Sequence, residues 1–458
     1  MEKYKLNKKI VLNEKEKLLF DDIKSLITSK NLGITPRVAG GWVRDKLLNL
    51  DNYDIDITLD TVSGYEFAIL FKENSHEKTS SIGLIKMNPE KSKHLETATM
   101  FVNGMSIDFL QLRTEKYLDS SRIPTVVVGN PTEDSFRRDI TINTLFYNIM
   151  TDEIEDFTKM GLNDLKLGII RTPLDPLKTF IDDPLRILRV FRFSCAYGFE
   201  ITKEIFAALE NKEIKHCLKD KVSNERIGIE IKKIISTKNA CKVFRHFIVY
   251  DLFESVFKYK KPENYTPEQF DLYTENFHKI DEKEIDLEIF RIYSILICFC
   301  GMLDSTERKK TYLNYTITKI HLKFDNVFTR RIDKIEKNIE YLMERNIYDE
   351  KLEILRIVRF LGDEWINSIY IYILMCKTYK EASRARELEK LINLIKEYGF
   401  QYAHQTKPII NGNILKVLNI KNTMFSKIIE ESVEIQILNN LTNPEEVLDE
   451  IKKRYTRF

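Results

Sequence analysis

The chain has 458 residues, which is more than one compact core accommodates and predicts three or four lobes. Lys and Arg number 72 against 70 for Asp and Glu, so the global charge neither indicates nor excludes a nucleic-acid partner. No apolar run reaches about 18 residues, which argues against a membrane-spanning helix. The six cysteines are scattered through apolar surroundings, which argues against a disulfide framework.

The N-terminal part of the chain mixes strands with helices. Alternating or β-branched runs predict strands at 53–59, 106–112 and 122–129. A polar segment from Glu73 to Lys93, rich in Ser and Lys, predicts a mobile loop between two of these strands. Further along, after an Asp-Pro pair, the strand signals fade, and amphipathic patterns predict helices as far as the C-terminus.

A Gly-Gly pair ends the first predicted strand and opens a helix in the run VAGGWVRDKLL, residues 38–48. N–H groups at a helix start, with no side chain in the way at Gly40 and Gly41, favour an anion such as a triphosphate. Arg44, on the following helix, is a predicted phosphate contact. Asp45 is predicted to orient its neighbours rather than to bind a metal.

Two aspartates alternate with isoleucines in the next predicted strand, YDIDITL. Because side chains of a strand alternate between its faces, Asp54 and Asp56 share one face while Ile55 and Ile57 point to the core. A pair of Mg²⁺ ions would neutralise the two carboxylates, activate an attacking hydroxyl and stabilise a leaving pyrophosphate. Asp108, on another predicted strand, is the candidate for a third catalytic carboxylate. An isolated D-x-D is more often a turn or a solvated strand, but the preceding Gly-Gly turn favours the metal site.

The run FRRDITINTLFYNI, residues 136–149, places Arg137, Arg138 and Asp139 before apolar residues at helical spacing, which predicts a helix there. A bidentate arginine and a carboxylate near a sugar can bind a 2′-hydroxyl and so prefer ribonucleotides. Asn143 is a further polar candidate for nucleotide binding. The alternative is a salt-bridged helix start with the aspartate near its N-cap.

An Asp-Pro pair begins a third group of polar residues in FIDDPLRILRVFRFSCAYGF, residues 180–199. Asp183 is a predicted N-cap, with proline at the first helical position. Arg186 and Arg189 follow on one helix face, with Arg192 beside them. An aspartate and an arginine together offer an acceptor and a donor to the Watson–Crick edge of a base, and the other arginines can bind its triphosphate.

The charge of one helical stretch says more about binding partners than the net charge of the whole chain. Between Arg186 and Arg245 there are fourteen basic and seven acidic residues. Such an excess in a helical stretch suits a phosphate-rich partner, and a solvated helix surface is the alternative. The seven histidines show no spacing typical of metal ligands.

Taken together, these motifs resemble those of the class II tRNA nucleotidyltransferases, the CCA-adding enzymes of the polymerase-β superfamily. The resemblance covers residues 36–236 well. Within this part, SIGLIKMNPEKSKHLETAT (81–99) is similar to eukaryotic members. Beyond residue 236 the resemblance is weaker, although KPIINGNILKVL (407–418) is similar to the tail of eukaryotic members. The family's catalytic motif falls on Gly40, Gly41, Arg44, Asp45, Asp54 and Asp56, and its ribose-selecting motif falls on Arg137, Arg138 and Asp139. The hinge between head and neck falls on 155–165, and the motif that serves as a template for bases falls on Asp182, Asp183 and Arg186. A last motif, on a helix that buttresses the neck, falls on Glu225, Arg226 and Glu230.

This resemblance implies an α+β fold. It consists of a polymerase-β-like nucleotidyltransferase head with a small mixed sheet at 1–150, followed by an all-helical neck at 151–236, body at 237–345 and tail at 346–458. The implied activity is template-independent addition and repair of the 3′-terminal CCA of tRNA from CTP and ATP, with two Mg²⁺ ions and release of pyrophosphate. The tRNA would bind through its acceptor stem and elbow, with its 3′ end between head and neck. Neither a membrane nor a protein partner is implied.

The chain departs from the family in its hinge, and other members of the superfamily are alternatives. The hinge usually carries Thr-Gly-Lys-Gly, where this chain has Thr158, Lys159, Met160 and Gly161. Bacterial-type poly(A) polymerases share the head and neck, and some relatives add only CC or only A. A non-catalytic RNA-binding protein on an inactive head is a further alternative, which the intact aspartate pair disfavours.

The N-terminal sequence bears on the compartment. MEKYKLNKKIVLNEKE has neither the apolar core of a signal peptide nor the acid-poor composition of a transit peptide. It therefore predicts a protein of the cytoplasm or nucleus and gives no support to mitochondrial import.

Overall fold

The computed structural model describes residues 3–7, 9–76, 79–85, 97–118, 121–307, 309–416 and 422–455. The chain divides into two compact units, the first up to Val256 and the second from Phe257. This division falls inside the lobe predicted at 237–345, and the four-lobe organisation stays a prediction.

The first unit contains the strands and about half of the helices. Its strands are β1 Arg37–Ala39, β2 Asp54–Leu59, β3 Gly83–Ile85, β4 Thr97–Val102, β5 Met105–Gln111, β6 Arg113–Leu118, β7 Ser121–Val128, β8 Phe146–Asn148, β9 Glu153–Glu155, β10 Ile169–Ile170 and β11 Glu200–Ile201. Its helices are α1 Glu14–Ser29, α2 Gly41–Leu47, α3 Gly64–Asn74, α4 Pro131–Phe136, α5 Gly161–Leu167, α6 Pro176–Asp182, α7 Leu185–Tyr197, α8 Lys203–Leu209, α9 Lys212–Lys221, α10 Asn224–Ile235 and α11 Ala240–Val249.

Among the described residues, seven strands form a mixed sheet in the order β3-β4-β5-β2-β1-β8-β9. Strand β2 is antiparallel to β1 and parallel to β5. Ile55 and Ile57 of β2 are 2% and 0% exposed, whereas the two aspartates between and before them are open to solvent, as the alternation predicts. The α+β class and the predicted strands at 53–59, 106–112 and 122–129 are confirmed.

Local sequence signals set the helix starts near the sheet. The side chain of Asn130 caps α4 and Glu133 reaches back to its backbone N–H, a capping box with proline at the first helical position. The side chain of Asp175 caps α6 before Pro176 by accepting from the backbone N–H of Lys178. The carboxylate of Asp183 accepts from the backbone N–H of Leu185, so the predicted cap is present, although α7 begins one residue later than predicted.

Two predictions of local structure are wrong. Residues 140–149 form a single 3-10 turn, Thr141–Asn143, and then strand β8, not a helix. Nearly all of this run is buried, so its apolar residues fit both the 3.6-residue period of a helix and the two-residue period of a strand. The pairing of β8 with β1 makes the end of this run a strand. The predicted loop Glu73–Lys93 contains strand β3, which pairs with β4. Its residues 77–78 and 86–93 lie outside the described part of the chain.

The second unit is helical. Its helices are α13 Pro267–Phe277, α14 Leu287–Leu296, α15 Leu313–Thr316, α16 Asn326–Met343, α17 Lys351–Leu361, α18 Trp365–Thr378, α19 Ala382–Glu397, α20 Gly412–Leu415, α21 Phe425–Asn439 and α22 Pro444–Tyr455, while α12, Phe253–Phe257, contains the boundary between the units. Glu336 is fully buried here and accepts from the Tyr293 hydroxyl, the Asn314 amide and the Gly301 backbone N–H, which satisfies its carboxylate. In neither unit does a described helix have the length and hydropathy needed to cross a membrane.

Candidate nucleotidyl-transfer site

A cleft of about 670 Å³ lies in the first unit between the sheet and helices α7 and α10. Its lining contains ten basic and five acidic side chains, a balance that suits a polyanionic ligand accompanied by cations. The predicted site residues that line it are Gly40, Gly41, Arg44, Asp54, Asp56, Arg138, Asp139, Asn143, Asp183, Arg186 and Arg189.

Strand β2 places the two predicted metal ligands on the cleft wall. Asp54 and Asp56 lie on its solvent side, one strand period apart. Asp108 is the register partner of Asp56 on the parallel strand β5, so the third predicted carboxylate lies directly beside it. Asp108 is not part of the cleft lining, and its carboxylate accepts from the hydroxyl of Thr99 at 2.6 Å.

The carboxylates fit a divalent cation. Although Asp56 is open to the cleft, the surrounding protein desolvates it, and this burial together with Asp108 and Asp54 raises its pKa to about 6, against the effect of Arg138. A cation beside Asp56 would offset the repulsion between its carboxylate and those of Asp54 and Asp108. No three His, Cys, Asp or Glu side chains among the described residues converge to hold an ion alone. Mg²⁺ commonly takes one or two carboxylates and completes its shell with substrate phosphates and water.

The Gly-Gly turn and helix α2 form a buried corner of the cleft. Gly40 has φ +72°, which favours glycine, and a Cβ there would lie 2.8 Å from Nη1 of Arg138 and would have to displace the end of that side chain. The backbone N–H of Gly40 donates to the carbonyl of Leu145 at 2.9 Å. Arg44 is 5% exposed and donates from Nε and Nη2 to Asp45. Arg44 is therefore a buried anchor, and its phosphate contact stays a prediction.

The two arginines before β8 converge on a buried aspartate. Asp134 is fully buried and accepts from Arg137 and Arg138, the latter from Nε at 3.0 Å and Nη2 at 2.7 Å. Burial alone would raise the pKa of Asp134, but the two guanidinium groups lower it to about 2. The sequence interpretation missed Asp134, although its spacing of three and four residues from the arginines on a helix end was a usable signal.

Asp139 is likewise satisfied by the chain itself. Its Oδ1 accepts from the backbone N–H of Ile140 and from Nδ2 of Asn143, and its Oδ2 from Nε of Arg189 at 2.7 Å. Despite its burial, Arg189 and the Asn143 amide lower the pKa of Asp139 to about 2. Nη2 of Arg189 also lies 2.7 Å from Oδ2 of Asp139, so four donors surround this carboxylate. A ribose hydroxyl would have to replace one of them, so the geometry favours Asp139 as the residue that positions Arg189.

The start of α7 presents the third group of polar residues to the cleft. Asp183 accepts from Nη2 of Arg226 at 3.1 Å, and Arg186 donates from Nη2 to the carbonyl of Arg137 at 2.7 Å. Farther along, Glu230 of α10 accepts from Nε of Arg192 at 2.6 Å. Each Asp183 oxygen has two lone pairs, so the carboxylate retains capacity for a further donor.

Several cleft residues were not singled out from the sequence as site residues. They are Asn52, Arg113, Phe193, Lys221 and Lys233, which the tertiary fold brings to one cleft from separate parts of the chain.

A mixed sheet with a carboxylate pair facing an arginine-lined cleft defines a nucleotidyltransferase head, and comparison with known families agrees. The "Poly A polymerase head domain" model matches residues 36–171, and the "Probable RNA and SrmB- binding site of polymerase A" model matches residues 198–263. The chain is a nucleotidyltransferase.

Similar proteins of known activity indicate which nucleotidyltransferase family this is. A tRNA nucleotidyltransferase of Schizosaccharomyces pombe is 33% identical over 95% of this chain and 95% of its own length. The fold is similar to the Thermotoga maritima CCA-adding enzyme complexed with tRNA, with TM-score 0.66, 21% identity and coverage of 97% and 96%. A CCA-adding enzyme complexed with CTP aligns with TM-score 0.65, 23% identity and the same coverage. The chain therefore belongs to the class II tRNA nucleotidyltransferases, the family of CCA-adding enzymes.

Proposed function

We propose that this chain adds and repairs the 3′-terminal CCA of tRNA, using CTP and ATP and releasing pyrophosphate. The observation that carries the proposal is the cleft in which Asp54 and Asp56 on β2 share one cavity with Asp183, just before α7, and Arg186 on α7. One wall supplies the carboxylates for transfer, and the other supplies an acceptor and a donor for a base.

The chain's own residues divide the work of transfer. Asp54 and Asp56 would hold two Mg²⁺ ions, which when bound polarise the phosphates and lower the pKa of the attacking 3′-hydroxyl. Arg189 and Arg186 provide positive charge where a triphosphate would extend, and Asp139 fixes the orientation of Arg189. The relatives solved with tRNA and with CTP support these substrate classes.

The rest of the chain is assigned to RNA binding. The excess of seven positive charges between Arg186 and Arg245 supports a path for the acceptor stem along the proposed neck, 151–236, and body, 237–345. The tail, 346–458, is proposed to contact the tRNA elbow, and 1–150 is the proposed head. A location in the cytoplasm or nucleus stays a prediction from the N-terminal sequence.

The direct test supplies purified protein with tRNA that lacks CCA and with labelled nucleotides, singly and together. We expect two additions with CTP alone, none with ATP alone, and three with both. A product that stops at CC with both nucleotides indicates a partial enzyme, and a long adenylate tail indicates a poly(A) polymerase. Absence of any extension contradicts the proposal.

Gly40→Ala is expected to damage nucleotide binding as well as stability. A side chain at φ +72° costs about 1–3 kcal/mol, and the new Cβ would displace the Arg138 guanidinium that lies 2.8 Å away. We expect the KM for CTP to rise about tenfold or more. Gly33→Ala is the matched control, because Gly33 has φ +63° but nothing within 4 Å. Equal KM values in the two variants would contradict the role of Gly40.

Binding of tRNA is expected to weaken with salt. If about five phosphates are neutralised, affinity falls roughly 100- to 500-fold between about 50 and 200 mM salt. Lys233→Ala, in the cleft wall, is expected to reduce the slope of log K against log salt by about 0.7–0.9. Lys17→Ala, on the exposed face of α1, should leave the slope unchanged. Identical slopes in both variants would contradict RNA binding along this wall.

A further inference from the structure

A ring of hydrogen bonds joins helix α2 to helix α7 across the buried wall of the cleft. Asp45 accepts from Nε and Nη2 of Arg44 at 2.8 and 3.0 Å. Arg44 donates from Nη1 to Oδ1 of Asn143, and Asn143 donates from Nδ2 to Asp139 at 3.0 Å. Asp139 accepts from Nε of Arg189 at 2.7 Å, which brings the ring onto α7.

The hydroxyl of Tyr197 closes this ring. About two turns after Arg189 on α7, it donates to Oδ1 of Asp45 at 2.7 Å and so joins residues 152 positions apart. Burial raises the pKa of the Tyr197 phenol, which keeps it a donor. Phe193 is 5% exposed and packs against two members of the ring, with the guanidinium groups of Arg44 and Arg189 at 5.1 and 5.5 Å from the centroid of its aromatic side chain.

Asn52 extends the ring to the strand of the proposed metal ligands. Its Nδ2 donates to Oδ2 of Asp45 at 2.7 Å, and its Oδ1 accepts from the backbone N–H of Asp54 at 2.9 Å. Asp45 therefore fixes both the start of β2 and, through Tyr197, the end of α7. Buried polar networks of this kind are rigid while every member is satisfied and costly when one member is removed.

We propose that Tyr197 and Asp45 are positioning residues that couple the two walls of the cleft, so that one ring sets both the metal site and the position of α7, which carries the base-selecting Arg186. Neither residue faces the reacting atoms; each acts through Arg44, Asn52 or Arg189. This inference rests on the proposed function. It follows that a substitution at Tyr197, at the end of α7 and away from β2, alters the Mg²⁺ concentration needed for activity.

The test is Tyr197→Phe, which keeps the aromatic ring and removes only the hydroxyl. We expect the half-saturating Mg²⁺ concentration to rise, and the preference for CTP over UTP in kcat/KM to fall, each by roughly three- to tenfold, about the net effect of one typical hydrogen bond. A role in packing alone would lower the Tm and leave both of these readouts at their wild-type values.

Tyr147→Phe is the matched control. The Tyr147 hydroxyl donates to Asp152 at 2.7 Å, the same type of hydrogen bond, and Tyr147 does not line the cleft. If Tyr197→Phe matches Tyr147→Phe in either the Mg²⁺ requirement or the nucleotide preference, the coupling is overturned. A wild-type protein without transfer activity would overturn both the proposed function and this inference, whereas an active wild type with an unaffected Tyr197→Phe overturns the inference alone.

Discussion

Asp56→Ala is expected to abolish incorporation of both CMP and AMP while tRNA binding stays within about twofold of the wild type. The two carboxylates are the proposed ligands of the cations that would stabilise the charge developing during transfer, a contribution of several kcal/mol. The expected loss in kcat is at least about 1,000-fold, which corresponds to about 4 kcal/mol. Asp54→Ala should behave in the same way, because both side chains lie on the cleft face of β2.

Single-turnover incorporation on preformed protein–tRNA complexes measures this loss without interference from binding. Asp51→Ala is the matched control, because Asp51 is an exposed carboxylate three residues before Asp54 and does not line the cleft. It should retain wild-type rates. Substantial turnover by Asp54→Ala or Asp56→Ala would mean that the metal site lies elsewhere.

Asp183→Ala is expected to reduce the preference for CTP and ATP over UTP and GTP more than it slows transfer of a single correct nucleotide. CTP and ATP present an amino donor beside a ring-nitrogen acceptor, which an aspartate acceptor and an arginine donor complement. UTP and GTP present the opposite order and leave polar groups unpaired, at about 1–3 kcal/mol each. One such group corresponds to about tenfold or more in selectivity. Arg186→Ala should show a similar change with a larger rise in KM.

The measurement is kcat/KM for all four nucleotides on tRNA ending before CCA and on tRNA ending in CC. Asp175→Ala is the control, because Asp175 also precedes a proline and caps a helix, yet does not line the cleft. Loss of a cap costs both variants about 1 kcal/mol of stability. Wild-type nucleotide ratios in both Asp183→Ala and Arg186→Ala would show that base selection does not depend on this pair.

Strand periodicity predicted the catalytic wall from the sequence, because alternation on β2 alone fixes the faces of Asp54 and Asp56. At residues 140–149 the spacing of the apolar residues gave a wrong prediction, a helix. There the apolar residues are buried, and the choice between helix and strand depends on the pairing of β8 with β1, whose paired residues are 107 to 111 positions earlier in the chain.

Apart from Asp108, the predicted catalytic and nucleotide-binding residues line one cleft, but several of them have different partners than expected. Arg44, Arg138 and Asp139 bind other side chains of the chain, so their direct contacts with a nucleotide stay predictions. Spacing along a helix or strand indicates which side chains share a face. It cannot indicate that Tyr197 meets Asp45, because only the tertiary fold brings together residues 152 positions apart.

Counting pyrophosphate released per tRNA tests the central claim most directly, because it follows the chemistry rather than the binding. With CTP and ATP together, tRNA lacking CCA should yield one pyrophosphate for each nucleotide of the sequence C-C-A and then stop. Transfer RNA ending in CC should yield one with ATP alone, and tRNA ending in CCA should yield none. Continued release beyond CCA, or no release from any of the three substrates, would contradict the assignment of this cleft to CCA addition.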